Sequence, residues 1–149
     1  MNPLVSDAKD ALDRRDHDAA QSLMRRLCDD EPAPGHWMDL AQRAVVVGFP
    51  DLAAACYGRV IDVYPNHGAA LLGFAVASVL IGRKEQARRA LKHIDAASLE
   101  LPMRRELGWC FWKLQDLEMA EAILLAVTRE DPRDARSFHI LGNMLRARG

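Results

Sequence analysis

The amino-acid sequence predicts an all-α fold, a helix–turn–helix solenoid of about four repeats followed by a C-terminal capping helix, and three observations predict it. The chain repeats itself with a period of about 34 residues. Its apolar residues recur at three and four positions with no strand-like alternation. Its glycines and prolines fall between the periodic stretches.

The period is clearest in four alanines. Ala20, Ala53, Ala87 and Ala120 each follow a polar helix start, in Asp18-Ala19-Ala20, Asp51-Leu52-Ala53, Glu85-Gln86-Ala87 and Glu118-Met119-Ala120, so that each stands one period from the next. Pro32, Pro65 and Pro132 keep the same beat with one member missing, near Ala96 to Leu99, and Pro102 follows shortly after. That junction is expected to be the least regular. Alanine at each repeat suits a place where helices approach closely, and a larger side chain there costs about 1 to 3 kcal/mol by overpacking.

Each unit reads as two helices of roughly a dozen residues, with repeats over about 1–33, 34–67, 68–100 and 101–134 and a cap helix over 135–149, all in a single domain. The run Gly48-Phe49-Pro50-Asp51 stops one helix and starts the next. Asn66 is expected to cap the helix from Gly68, and Asp134 the last helix after Pro132. Gly82 and Asp116 mark the remaining turns within repeats.

The totals restrict function. Apolar residues are 50% and charged residues 28% of the chain, enough to bury a core, and the formal net charge of -1 gives no global field toward nucleic acid or anionic membrane. The longest apolar stretch, Ala69 to Gly82, is broken by Ser78 and falls short of the ~20 residues that cross a bilayer. Met1 to Lys9 lacks the pattern of a secretory signal. Cys28, Cys56 and Cys110 are odd in number and sit in apolar helical patterns, which suits buried thiols in a reducing cytoplasm.

These residues resemble the tetratricopeptide repeat, whose signature is W-x2-L-G-x2-Y in the first helix and A-x3-F then P in the second. In the second repeat Trp37, Leu40, Ala41, Gly48, Ala53, Tyr57 and Pro65 fall on it, and in the fourth Leu107, Gly108, Phe111, Ala120, Leu124 and Pro132. The third keeps Leu71, Ala75, Gly82, Ala87 and Leu91. The first keeps only Ala8, Ala20, Met24, Leu27 and Pro32, as a capping unit would. The resemblance implies a short right-handed superhelix whose first helices line a concave surface and whose function is to bind another protein.

On those first helices a second apolar stripe lies apart from the packing signature. Met38, Gln42 and Val45, then Leu72, Val76 and Val79, then Arg105, Trp109 and Trp112 run at i, i+4, i+7, so each trio shares one helical face. With Lys113 they form the expected partner-binding groove. Its expected occupant is an apolar peptide or helix of another protein, flanked by an acid that meets Arg105 or Lys113. The same stripe also fits a tightly wound superhelix, or a face covered by a second copy of the chain in a self-associating scaffold. The chain departs from the tetratricopeptide domains that grip a C-terminal carboxylate, since Met38, Leu72, Val76 and Trp109 stand where Lys, Arg and Asn would serve. An apolar groove in a short chain is similar to that of the class II chaperones of type III secretion, on fold analogy.

Neither a catalytic residue, a cofactor nor a metal is expected. The sequence has no phosphate-cradling G-x-x-x-x-G-K-[ST] or G-x-G-x-x-G and no G-x-S-x-G nucleophile turn. His17, His36, His67, His93 and His139 are scattered, and Cys110 lies between Trp109 and Phe111 with no basic neighbour to lower its pKa. The carboxylates of Asp29-Asp30-Glu31 and Glu130-Asp131 end second helices, where solvated turns are expected. Arg83, Lys84, Arg88, Arg89 and Lys92 form a basic run on a second helix without the interleaved aromatics that single-stranded nucleic acid needs.

Overall fold

Helix starts are written in the sequence as prolines and short polar side chains, and the computed structural model, which describes residues 2–148, follows them. Among those residues it contains nine helices and no strand. They are α1 (Pro3–Asp13), α2 (His17–Asp30), α3 (Pro34–Val47), α4 (Pro50–Val63), α5 (Gly68–Leu80), α6 (Lys84–Leu91), α7 (Leu101–Lys113), α8 (Leu117–Glu130) and α9 (Ala135–Ala147). Met1 and Gly149, the outer limits of the expected first and last segments, lie outside the described residues.

Proline opens α1, α3 and α4, where its missing N–H costs nothing because the first turn of a helix has no internal acceptor for it. Asp16, Asp116 and Asp134 cap α2, α8 and α9 by accepting from the backbone N–H of Ala19, Met119 and Ser137. For α5 the cap is His67 and not Asn66. The helix begins at the expected Gly68, so the capping position falls on residue 67, and the imidazole Nδ1 accepts from Ala70 N–H at 3.1 Å.

The turns inside the pairs carry a second periodic signal. Arg15, Gly48, Gly82 and Gln115 hold left-handed φ values of 59°, 86°, 81° and 66°, and each stands one repeat from the next. Glycine takes this conformation freely, whereas Arg15 and Gln115 hold it against a strain of about 1 to 2 kcal/mol.

The helices pair α1 with α2, α3 with α4, α5 with α6 and α7 with α8, and α9 packs on α8 and α7. Successive pairs join through α1 on α3, α4 on α5 and α5 on α7, which gives the helical solenoid that the period predicts. Ala20, Ala53, Ala87 and Ala120 are fully buried. Two glycines allow still closer approach: a Cβ on Gly73 would lie 2.3 Å from Cζ of Tyr57, and one on Gly108 would lie 2.7 Å from Cγ of Leu124. The junction without the periodic proline is the irregular one. α6 is only 8 residues long, and a loop with a 3-10 turn at Ala96–Ser98 leads to α7.

Candidate functional site

The first helices of the repeats, α3, α5 and α7, place the nine residues of the three trios at three matching positions. Met38, Leu72 and Arg105 share one, Gln42, Val76 and Trp109 the next, and Val45, Val79 and Trp112 the third, each one repeat apart. Exposure along these columns is uneven. Val45 is 46% exposed and Gln42 is open, Met38, Val76 and Val79 are half-buried, and Leu72 is only 1% exposed. The expectation that Leu72 contacts a partner is therefore corrected. α5 is held by α4, α6 and α7, and Leu72 is part of the core that they enclose.

Arg105 is corrected in the same way. Its guanidinium Nη1 donates to both carboxylate oxygens of Asp134, at 3.0 and 3.1 Å, and so ties α7 to the cap of α9. Burial pushes the Asp134 carboxyl up, but hydrogen bonds from Ser137 and Arg105 outweigh it and leave the group below its ordinary pKa. With its partner inside the fold, Arg105 serves as a structural cation. Lys113 remains exposed, with Nζ 4.4 Å from the ring centre of Trp112 and 6.0 Å from that of Trp109. Both indoles are half-buried against the cluster of Ala120, Leu124, Ile140, Leu141 and Met144.

On this side Gln42 lines a polar cleft of about 420 Å³ between α1 and α3, crossed by ion pairs from Arg43 to Asp13 at 3.0 Å and from Lys9 to Asp39 at 3.7 Å. A larger cleft, of about 780 Å³, lies among the second helices α2, α4 and α6. Met24, Ile61, Leu71 and Phe74 contribute its apolar lining, and Arg25, Arg59, Arg83 and Arg89 stand around it. None of these four guanidinium groups pairs with a carboxylate among the described residues, whereas Arg43, Arg88, Arg104, Arg105 and Arg148 all do. Sequence reasoning saw Arg83 and Arg89 in the basic run but missed Arg25 and Arg59. The available signal was that these two stand one repeat apart on successive second helices.

The thiols of Cys56 and Cys110 are pushed up to about 12, first by burial, so neither is a nucleophile at neutral pH. Among the described residues no group of three His, Cys, Asp or Glu is placed to hold a metal ion, and no helix is long and apolar enough to cross a membrane.

Residues 38–100, from α3 to the loop before α7, match the family model of the tetratricopeptide repeat. The match spans the second and third helix pairs and agrees with the solenoid of paired helices. Repeats of this family generally mediate protein–protein interaction and are not generally enzymes. A comparison with curated proteins gave no match.

Proposed function

We propose that this chain is a protein-interaction module whose first-helix face receives an apolar peptide or helix of another protein. The observation that carries the reading is the column of Val45, Val79 and Trp112, which repeats one apolar position on three successive first helices and keeps it partly open to solvent. Met38, Val76 and Trp109 flank it, Gln42 stands beside Val45, and Lys113 supplies a cation for a carboxylate of the partner. The module comprises the whole chain as one domain. Holding an apolar segment in this way is chaperone-like work, and the three free cysteines suit a reducing cytoplasm for it.

The test is capture of a partner from the native host's lysate with the wild type and with Val45→Asp and Trp112→Ala variants whose helix content is intact by circular dichroism. A specific protein held by the wild type and lost from both variants is the expected result. Self-association lost from the variants, with no captured partner, would instead make the column an interface between copies of the chain.

A further inference from the structure

We propose a second docking surface, the cleft among the second helices α2, α4 and α6, and an acidic, apolar-rich segment of a partner protein as its occupant. It is separate from the first-helix column, since its lining residues come from the other helix of each pair and from the inner sides of Trp37, Leu71 and Phe74.

Charge identifies the occupant. In a chain of formal net charge -1, four guanidinium groups without ion-pair partners meet around one cleft, against the two carboxylates of Asp51 and Asp62. Asp51 is already engaged, with Oδ2 2.7 Å from Nε2 of His17. The local excess is positive and unsatisfied, so a partner that brings carboxylates finds bidentate donors waiting for them. Between the guanidinium groups the surface is apolar, and Ala55 leaves α4 low and open at its exposed midpoint. Apolar side chains of the partner therefore have somewhere to go.

The same features disfavour nucleic acid. Stacked bases need exposed aromatic faces, and here Trp37 is buried with Arg59 5.9 Å from its ring centre, while Phe74 is half-buried.

The test uses the full chain and fluorescence anisotropy with a labelled peptide of about 18 residues, in which Leu on one helical face alternates with Glu on the other. Probes for comparison are the same peptide with Lys for Glu and an oligothymidylate of similar length. The Glu peptide is expected to bind, and to weaken as salt shortens the screening length below about 8 Å. Arg59→Glu with Arg89→Glu should weaken it about tenfold or more, and Ala55→Trp, which fills the cleft without changing its charge, should do the same. Arg25→Glu with Arg83→Glu is a second reversal in case the first disturbs the helices. Val45→Asp, on the first-helix face, should leave this binding unchanged, which separates the two surfaces. Unchanged binding in the reversed or the Ala55→Trp protein overturns the proposal, as does equal binding of the Lys peptide. So do tighter binding of the oligothymidylate and self-association that Ala55→Trp abolishes, because they name a different occupant.

Discussion

The seam between α4 and α5 and the junction between α6 and α7 occupy the same place in successive repeats, yet they are built differently. α4 and α5 lie against each other directly, with Gly73 under the ring of Tyr57 and Gly58 facing Phe74. α7 meets the third repeat mainly through α5, and residues 92–100 form a loop between α6 and α7. A cleft of about 450 Å³ remains there, lined by Leu91, Ile94, Leu107, Phe111, Met119 and Ile123. The period thus sets where helices lie. How closely neighbours approach is set by the residues between the repeated alanines, and by the length of the second helix, 14 residues in α4 against 8 in α6.

Gly73→Ala should break the tight seam and have the largest effect. The new Cβ would meet three atoms of the Tyr57 ring at 2.3 to 2.7 Å, and that ring is buried among its neighbours. We expect a loss of about 3 kcal/mol in urea unfolding, beyond the ~1 kcal/mol that alanine gains in helix propensity. A variant as stable as the wild type would show that the seam can slide apart at no cost.

At the loose junction the corresponding anchor is Leu99. It is buried, and its Cδ2 lies 3.3 Å from where a Cβ on Gly68 would stand, so it sews the loop to the start of α5. Leu99→Ala should cost about 2 kcal/mol, at the low end for a core leucine because a loop collapses onto a cavity more readily than a helix does. Hydrogen exchange should quicken first at α6 and the loop. Uniform quickening along the whole chain would mean that the junction is no weaker than the seam.

Much of this fold was legible because it rests on local chemistry. The alanine period, the turns at Gly48, Gly82 and Asp116, the cap Asp134 and the irregular stretch near Ala96 need only their neighbours in sequence. The candidate site was less legible. α5 is apolar on nearly every side, and periodicity does not say which side a neighbour covers, so Leu72 read as surface although it is core. Arg105 found Asp134 on a helix start far along the chain, and Arg25, Arg59, Arg83 and Arg89 converge from separate repeats. Such meetings depend on how repeats stack, which spacing within one helix does not encode.

The link between the first two repeats supplies the smallest effect, and one that pH controls. His17 begins α2, and its Nε2 lies 2.7 Å from the Asp51 carboxylate at the start of α4, with the ring edge-on to Phe49 at 5.0 Å. The hydrogen bond to Asp51 raises the imidazole above its ordinary 6.5, burial lowers it by less, and Asp18 adds a further raising contribution. The folded state therefore holds the proton more tightly than the unfolded chain. Its stabilisation is fully present below the unfolded value of about 6.5 and is lost as pH rises through the higher folded value. Urea midpoints measured from about pH 5.5 to 8.5 should fall across that window more for the wild type than for His17→Gln, and by a modest amount because water screens both partners. Identical profiles for the two proteins would show that the contact between His17 and Asp51 adds nothing to the stability of the first two repeats.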